Sequence, residues 1–302
     1  MDNRSGEMLV FVKVVETGSF SAAAQLLEMT PSAVSKLLTR IEERLGVQLL
    51  RRTTRQLGLT TEGRVYYDDS VRILDDIEDA EQGIASGVNS IRGVVRVNVS
   101  LPFGTHCVLP LIAQFNHRYP EITLDLSLTD AKVDLQRERV DVAIRMGALE
   151  DASFYARPLG RSRRVVVASP AYLARRGTPQ DPADLAKHSC LSFNFRPATY
   201  PWPFLIDGET VQVPVRGAIL TNNGETMRQL TLDGLGISRL GMFHVYDDLQ
   251  AGRLVELLSP FRADDVEEVS VIYTNQRHMP KRVRAFIDFA IEMLVPLLET
   301  KG

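Results

Sequence analysis

The sequence predicts an α/β protein with a helical N-terminal module, one long helix and a two-lobed C-terminal region, and three observations support this. Residues 1–60 carry helical periodicity with clear helix-start signals. Residues 61–91 contain no proline and a regularly spaced apolar stripe. From residue 92 to residue 302, strand patterns alternate with helical patterns, as in α/β folds. The sequence therefore predicts three regions: residues 1–60, 61–91 and 92–302.

Composition limits the class of protein. A chain of 302 residues that is 44% hydrophobic can bury more than one core. Lys13 and Glu16 interrupt the first apolar stretch, so we expect neither a signal peptide nor a membrane segment, and we expect a cytoplasmic protein. The formal net charge of −3 argues against indiscriminate coating of nucleic acid, although an average can hide a local patch.

The charges are unevenly distributed along the N-terminal third. From Thr30 to Arg64 the chain carries seven basic residues and three acidic ones. From Tyr67 to Ser90 it carries seven acidic residues and one basic residue, Arg72. The first segment can attract phosphate, whereas the second would repel it.

Two helices are predicted at the start of the chain, of which the second is short. The first has one apolar face and ends at Gly18; that face contains Met8, Phe11, Val12 and Val15. Ser19 or Ser21 can cap the second helix. Its inward residues are Phe20, Ala23, Ala24 and Leu27. The alanines allow a neighbouring helix to approach closely.

A third helix has a sharply specified start. Thr30 can cap it, and Pro31 occupies the first helical position, where a missing N–H costs nothing. The predicted buried face contains Val34, Leu37, Leu38, Ile41 and Leu45. The predicted outer face contains Ser32, Ser35, Lys36, Thr39 and Arg40. The outer residues are small, polar or basic.

The second and third helices, joined by a tight turn, are typical of a helix-turn-helix whose second helix enters the DNA major groove. Residues 49–59 predict two short strands around a basic tip, which is the pattern of a wing. Its arginines, Arg51, Arg52 and Arg55, suit phosphates or a minor groove. The alternative is a small helical bundle with a solvated basic face; the combination of features favours DNA binding.

The long helix predicts self-association. Thr60 can cap it, and its apolar stripe contains Tyr67, Val71, Leu74, Ile77, Ile84 and Val88. Thirty helical residues extend about 45 Å, enough to separate two DNA-binding modules while pairing with a second copy. We therefore expect a homodimer, with a homotetramer left open. The alternative is that this helix packs on its own C-terminal region.

The C-terminal region predicts two α/β lobes. The predicted strands are Val94–Ser100, Ile122–Leu128, Asp141–Met146, Arg163–Ala168, Cys190–Phe193, Val211–Val215, Gly236–Ser238 and Val269–Tyr273. Helices are predicted through Leu111 and Phe115, between the second and third strands, after Gly224, and over Lys281–Leu298. The first lobe is predicted at about residues 92–163 and 268–302, and the second at about 164–267. A ligand is expected in the cleft, outside the carboxyl ends of strands.

Polar residues at these strand ends form the predicted effector site. Those of the first lobe are Ser100, Pro102, Thr129 and Arg145, and those of the second lobe are Asn222, Asn223 and Ser238. Hydroxyls, amides and one arginine suit a small anionic molecule such as a carboxylate. The alternative is structural: Ser100 and Thr129 cap helices, and Arg145 pairs with a structural carboxylate.

Catalytic, metal and redox chemistry are not expected. Cys107 and Cys190 lie far apart, and the five histidines lack the spacing of a structural zinc site, so we predict no cofactor and no metal. His106 beside Cys107 lacks a readable catalytic partner, and the chain is predicted not to be an enzyme. A Cys107–Cys190 redox switch is the disfavoured alternative to two inert core thiols. Trp202 is predicted to be a packing anchor.

One stretch resembles a known family. GSFSAAAQLLEMTPSAVSKLLTRIEERLGVQLLRRTTRQLGLTTEGRVYY, residues 18–67, resembles the signature region of LysR-type transcriptional regulators. YPEITLDLSLTDAKVDLQRERVDVAIRMG and VVVASPAYLARRGTPQDPADLAKHSCLSF resemble their effector domains, which share the fold of periplasmic solute-binding proteins. The resemblance implies an N-terminal winged helix-turn-helix, a linker helix and a C-terminal two-lobed, periplasmic-binding-protein-like effector domain.

The resemblance also implies residue roles. It places Thr30, Pro31, Ser32, Ser35 and Lys36 at the DNA, with Arg51, Arg52 and Arg55 on the wing. Many family members carry glutamine where this chain has Thr30, so the base preference does not carry over. The implied partners are promoter DNA, a small-molecule effector, a second copy of the chain and RNA polymerase. One alternative is a metabolite carrier, which is disfavoured because no signal peptide is expected and the recognition helix would lack a purpose. The other is an enzyme on the same scaffold, which is disfavoured because the sequence shows no set of acids, bases or metal ligands for the cleft.

Overall fold

The computed structural model describes residues 3–52, 57–85, 91–130, 140–147, 154–196, 200–274 and 279–302. The chain divides into an N-terminal unit, Met1–Ser90, and a C-terminal unit, Ile91–Gly302. Within the described residues, no helix combines the length and the apolar character needed to cross a membrane.

The N-terminal unit is mainly helical. Its elements are α1 (Arg4–Thr17), α2 (Phe20–Leu26), α3 (Pro31–Leu45), β1 (Leu50–Arg52), β2 (Leu57–Leu59) and α4 (Thr61–Ala85). Strands β1 and β2 pair antiparallel, with Leu50 opposite Leu59. The predicted wing is therefore a two-stranded hairpin; its tip, including Arg55, lies outside the described residues.

Local signals determine where the first three helices begin. The side chains of Asn3, Ser19 and Thr30 each accept a hydrogen bond from the backbone N–H three residues later. Ser19, and not Ser21, is thus the cap of α2. Gly18 follows α1 in the left-handed conformation, at φ 64°. The predicted Thr30 cap and Pro31 start of α3 are confirmed.

The core of this unit lies between α1, α2, α3 and the wing. Phe11, Val34, Leu38 and Ile41 have no exposed surface. Leu45, predicted to be buried, is 40% exposed. This prediction was wrong because Leu45 is the last residue of α3, one turn beyond Ile41, the last residue of this helix in the core.

The long helix α4 begins at Thr61, after the predicted Thr60 cap, whose hydroxyl accepts from the Gly63 N–H at 2.8 Å. Its first turns pack on the unit itself, with the ring of Tyr66 5.3 Å from that of Phe11. Farther along, Ile77 is 37% exposed. The start of α4 therefore serves the N-terminal core, while the apolar stripe becomes more exposed farther from it. The side chains of Ile84 and Val88 lie outside the described part.

The C-terminal unit alternates strands and helices. Its first part contains β3 (Gly93–Val99), α5 (Leu101–Phe103), a π-helical turn (Gly104–Val108), a 3-10 turn (Leu109–Leu111), α6 (Ile112–Arg118), β4 (Ile122–Leu128), β5 (Val142–Met146) and β6 (Phe154–Ala168). Its middle contains α7 (Pro170–Arg176), a 3-10 helix (Pro182–Lys187), β7 (Ser192–Phe193), β8 (Trp202–Ile206), β9 (Glu209–Val213) and β10 (Leu220–Thr221). Its last part contains α8 (Gly224–Leu232), β11 (Ser238–Gly241), α9 (Met242–Gln250), β12 (Val255–Leu257), a 3-10 helix (Ser259–Phe261), β13 (Val266–Thr274) and α10 (Lys281–Lys301).

The main sheet of the described residues has the strand order β11-β6-β13-β5-β3-β4, with β12 also on β6. Strands β4, β3 and β5 are parallel, and β13 runs antiparallel to them. Strand β6 changes partners along its length: Phe154–Arg163 pairs with β13, and Arg164–Ala168 pairs with β11 and β12. A single 15-residue strand thus runs through both halves of the unit.

Separate apolar cores lie on the two halves of β6, and we name the surrounding parts lobe I and lobe II. In lobe I the ring of Phe115 packs edge-on against Phe286 and Phe289, at 5.5 and 5.1 Å between centroids. In lobe II the buried residues include Leu185, Trp202, Phe204 and Ile237. The prediction of Trp202 as a packing anchor is confirmed.

Several predicted strand boundaries differ from those in the structure. Strand β6 begins at Phe154, nine residues before the predicted start, because Pro158 and Gly160 interrupt its pattern. Strand β8 was missed because Pro201 and Pro203 flank Trp202, although Pro203 is tolerated in this two-stranded hairpin with β9. The predicted short helix before β5 falls on residues 131–139, outside the described part.

Candidate functional site

The outer face of α3 presents the predicted DNA-contacting residues together. Thr30, Pro31, Ser32 and Lys36 are exposed, and Ser35 is half-buried. The hydroxyl of Thr30 lies 3.1 Å from that of Ser32 while it caps the helix. The first turns of α3 thus offer small hydroxyl side chains and one cation beside a helix N-terminus, which suits contact with a DNA duplex.

Arg40 has a partner that the sequence analysis missed. Its Nη2 lies 2.5 Å from Oε1 of Glu7, and Nη2 of Arg44 lies 2.7 Å from Oε2 of the same carboxylate. Glu7 is buried between α1 and α3, whereas the Arg40 side chain remains 55% exposed. The ion pair fixes Arg40 toward α1 and offsets part of its charge. The position of Glu7, one helical turn before Phe11 on the apolar face of α1, signals that it is buried but does not indicate its partner.

The base of the wing is held by side chains that bond to backbone. Oε1 of Glu42 accepts from the N–H groups of Leu49 and Leu50, at 2.8 and 3.2 Å. The Thr60 hydroxyl donates to the Gln48 carbonyl at 2.7 Å. These bonds tie α3, the wing and α4 together. Arg51, on β1, is exposed; Arg52 is placed on the same strand by its backbone.

In the C-terminal unit the predicted strand-end residues converge. Val99 pairs with Leu128 on one side and with Ile144 on the other. Ser100, Thr129 and Arg145 therefore follow at the same edge of the sheet. Nη2 of Arg145 donates to Oδ1 of Asn98 on the neighbouring strand β3 at 2.6 Å, which holds the guanidinium close to the end of that strand.

Ser100 has a buried hydroxyl for which the described residues supply no hydrogen-bond partner. Although it precedes α5, its side chain makes no capping bond; Oδ1 of Asp130 accepts from the Leu101 N–H instead, at 2.9 Å. The structural alternative, a capping Ser100, is thus not what the structure shows. A buried, unsatisfied hydroxyl is costly unless a ligand or water completes it.

The predicted effector-site residues of lobe II lie in different environments. Asn223 caps α8 through the Thr226 N–H, and its amide donates to Asn222 at 2.9 Å. The next residue, Gly224, faces Pro102 of lobe I so closely that an added Cβ would lie 3.0 Å from Pro102 Cγ. The prediction that Ser238 contacts an effector conflicts with its complete burial. Its hydroxyl is bonded to Thr231 at 2.7 Å because β11 lies inside lobe II, beneath α8.

Three titratable side chains meet between the lobes. Oε2 of Glu225 lies 2.8 Å from Nε2 of His106 and 2.9 Å from Nε2 of His244. The hydrogen bond from His244, followed by that from His106, lowers the pKa of Glu225 to about 2 although burial opposes the shift. Burial lowers the pKa of His244. No sequence signal could have found this cluster, because His106 and Glu225 are 119 positions apart.

The two cysteines are buried and free. Cys107 lies in the lobe I core and Cys190 in the lobe II core. Burial raises the pKa of each thiol to about 12, which keeps both protonated and weakly nucleophilic. This supports the prediction of inert core thiols over a thiolate catalyst or a Cys107–Cys190 switch.

Two family descriptions match the chain. Residues 6–64 match "Bacterial regulatory helix-turn-helix protein, lysR family", and residues 89–295 match "LysR substrate binding domain". The first match lies within the N-terminal unit, and the second covers most of the C-terminal unit. The chain belongs to the LysR family of bacterial transcriptional regulators.

Relatives of this LysR-type regulator support the same assignment. The chain is 40% identical to the HTH-type transcriptional regulator CrgA of Neisseria meningitidis over 97% of this chain and 98% of CrgA. It is 33% identical to the transcriptional activator AaeR of Escherichia coli over 97% of this chain and 94% of AaeR. The solved structure of CrgA aligns with a TM-score of 0.65, covering 96% of this chain and 98% of CrgA.

The family membership establishes the main predicted function. This LysR-type regulator carries a helix-turn-helix for sequence-specific DNA binding and a C-terminal domain of the effector-binding type. The predicted fold class is confirmed.

Proposed function

We propose that a small anionic metabolite controls DNA binding by this regulator from the edge of the sheet that holds Ser100, Thr129 and Arg145. The observation that carries the proposal is the convergence of two hydroxyls and a guanidinium at three neighbouring parallel strand ends. Hydroxyls and guanidinium N–H groups donate to a carboxylate, and arginine does so with two parallel bonds. The buried Ser100 hydroxyl would gain the partner that it lacks among the described residues.

The effector acts, in this proposal, by binding one arrangement of the two lobes more tightly than another. Pro102 and Gly224 already meet across the lobes, so a ligand beside them alters a contact on which the arrangement depends. Asn222 and Asn223 complete the site from lobe II. Ser238 joins it only if its bond to Thr231 opens.

The DNA contacts are proposed at residue level. Thr30, Pro31, Ser32, Ser35 and Lys36 enter the major groove, and Arg51, Arg52 and Arg55 of the wing contact the flanking backbone or minor groove. Arg40 contributes to DNA binding only through the part of its side chain that stays exposed.

The domain boundaries are proposed as follows. Residues 1–60 form the DNA-binding domain, residues 61–91 the linker helix, and residues 92–302 the effector domain. The two lobes of the effector domain are divided near residues 163/164 and 267/268. The linker helix pairs with that of a second copy, so the homodimer binds a roughly two-fold site.

Four broader features follow from this assignment. We propose that the protein works in the cytoplasm, that it contacts RNA polymerase at the promoter, that it needs no cofactor for DNA binding, and that it catalyses no reaction. The inert thiols and the family of regulators support the last point.

The DNA-binding proposal is tested by fluorescence anisotropy of the full chain with DNA from upstream of its own gene, at two salt concentrations and against scrambled DNA. We expect Lys36→Ala to weaken binding about tenfold and to lower the salt dependence by about one counterion, because it removes a phosphate contact. Ser35→Ala is expected to change base preference if that hydroxyl contacts a base edge.

Lys13→Ala is the matched control, since Lys13 is a partly exposed lysine on α1 that pairs with Glu16. It should leave both affinity and salt dependence unchanged. Equal, weak binding to both DNAs should be followed by selection from random sequences. If no sequence is enriched, the recognition helix has been misassigned.

The effector proposal is tested by calorimetric titration of the full chain with a panel of small mono- and dicarboxylates. Arg145→Gln should weaken the binding of a carboxylate that the wild type binds by about 10- to 100-fold, because it removes a charged hydrogen-bond donor. Arg161→Gln is the control, as Arg161 is an exposed arginine of lobe I paired with Glu268. Equal losses of carboxylate affinity in the two variants would exclude the anionic site at Arg145.

A further inference from the structure

The cluster of His106, Glu225 and His244 joins the two lobes of the C-terminal unit. His106 belongs to the π-helical turn of lobe I, whereas Glu225 begins α8 and His244 lies on α9. One atom from each side chain, the two Nε2 atoms and Oε2, lies within 4.8 Å of the others. We propose that these three side chains bind one divalent ion of the zinc class, which links lobe I to lobe II.

The donor set fits that class of metal. Two imidazole nitrogens and one carboxylate oxygen are borderline ligands, which favour zinc and its late first-row neighbours over magnesium or calcium. Ligand atoms around a tetrahedral zinc lie about 3.3 Å apart, given bonds of about 2.0 Å. In the structure, Oε2 of Glu225 is 2.8 and 2.9 Å from the two nitrogens. A tetrahedral ion therefore requires each of these two distances to lengthen by about half an ångström. The two nitrogens, which lie within 4.8 Å of each other, would come to the same separation.

Binding exchanges hydrogen bonds for metal bonds without a net change of protonation in neutral histidines. In the metal-free state each Nε2 donates to Oε2 of Glu225. In the metal-bound state both Nε2 atoms carry lone pairs toward the ion, and the protons move to Nδ1. The carboxylate is already ionised at neutral pH, so it needs no deprotonation.

Two residues behind the proposed ligands, Arg228 and Asp248, orient the carboxylate of Glu225. Nη1 of Arg228 donates to Oε1 of Glu225 at 2.9 Å, which leaves Oε2 directed at the histidines. Arg228 is itself held by the buried Asp248, at 2.6 Å from Nε to Oδ2. Such outer-shell bonds position metal ligands in known sites. The Asp248 carboxylate also offsets the positive charge of Arg228, which would otherwise repel a cation.

The three proposed ligands are not equally buried, and this difference leaves access for a water molecule. His244 is fixed, with a side chain that is 2% exposed, whereas Glu225 is 29% exposed. A water molecule can therefore reach the ion as its fourth ligand, the arrangement of open zinc sites. This site goes beyond the proposed function, since it involves none of the residues assigned to the anionic effector and can be tested without one.

The test is a titration of the full chain, produced without a polyhistidine tag and dialysed against a chelator, with Co²⁺ as a spectroscopic probe. We expect a visible d–d absorption that saturates at one Co²⁺ per chain and disappears when Zn²⁺ is added. A thiolate-to-metal band in the near ultraviolet should be absent, because the neighbouring Cys107 side chain is buried in the lobe I core and is not one of the three ligands. That band would signal a different site and overturn the assignment.

Matched variants decide between a metal site and a purely hydrogen-bonded cluster. His106→Gln and Glu225→Gln should each weaken Co²⁺ binding at least about tenfold. His117→Gln, which changes an exposed histidine on the helix that follows His106, should bind as the wild type does. Far-UV circular dichroism checks that each variant folds; His244→Gln is secondary because His244 is buried. No saturable binding at one equivalent, or unchanged binding by folded His106→Gln and Glu225→Gln, would overturn the proposal.

Discussion

Gly63→Ala is expected to abolish operator binding by this regulator. A Cβ at position 63 would lie 1.9 Å from the Leu49 carbonyl oxygen and 2.8 Å from its carbon. Both are backbone atoms, and the same oxygen accepts the Thr60 N–H at 3.0 Å, so no side-chain rotation relieves the overlap. The wing base and the start of α4 must move apart. We expect a loss of about 3 kcal/mol in the free energy of unfolding of the N-terminal unit, at the upper end for overpacking.

Urea unfolding followed by circular dichroism, together with anisotropy on operator DNA, measures this effect. Gly58→Ala is the control in the same wing, because nothing lies within 4 Å of its added Cβ. Its unfolding free energy should change by no more than about 0.5 kcal/mol. Wild-type affinity and an unchanged midpoint in Gly63→Ala would show that α4 does not pack against Leu49 in this way.

Asp248→Asn is expected to destabilise lobe II by about 3 kcal/mol, the lower end for breaking a buried ion pair. Asp248 is 1% exposed and accepts from Nε of Arg228 at 2.6 Å and from Nε of Arg253 at 2.8 Å. The substitution keeps the shape but leaves two guanidinium groups without that charge. We expect the lower end of this destabilisation because Arg228 keeps its ion pair with Glu225, and because the Arg253 side chain is partly exposed to water.

Asp247, the neighbour of Asp248 in the sequence, provides the control for the effect of burial. Asp247, on the same helix, pairs with Lys301 through a side chain that is 63% exposed. Asp247→Asn should cost no more than about 1 kcal/mol, as exposed ion pairs do. Thermal unfolding of the full chain, followed by circular dichroism, measures both. Similar melting temperatures for the two variants would contradict the structural importance of the buried carboxylate.

The features predicted well from sequence are those encoded within a few residues. The Thr30 cap and Pro31 start of α3, the Gly18 end of α1 and the strand ends before Ser100 and Thr129 each depend on neighbouring residues. Helix caps and hydrophobic periodicity act over one or two turns, so the sequence displays them directly. The positions of the recognition helix and of the sheet edge follow from such local signals.

What the sequence did not reveal depends on distant partners. Glu7 neutralising part of Arg40 required the packing of α1 on α3, and the burial of Ser238 required α8 to cover β11. The His106, Glu225 and His244 cluster exists only because three elements from two lobes meet. A strand such as β8, which carries Pro203, is assigned by its partner and not by its own composition.

The path of β6 and β13 has a consequence for the order in which the chain folds during synthesis. Lobe I contains the first strands of the C-terminal unit, yet its core also needs β13 and the residues Phe286 and Leu298 of α10. The N-terminal unit and the segments of lobe II leave the ribosome earlier. The apolar face of Phe115 therefore stays uncovered until the last helix, which carries Phe286 and Phe289, has been made. A chain that ends before residue 281 therefore exposes apolar surface of lobe I, which favours aggregation and binding by chaperones.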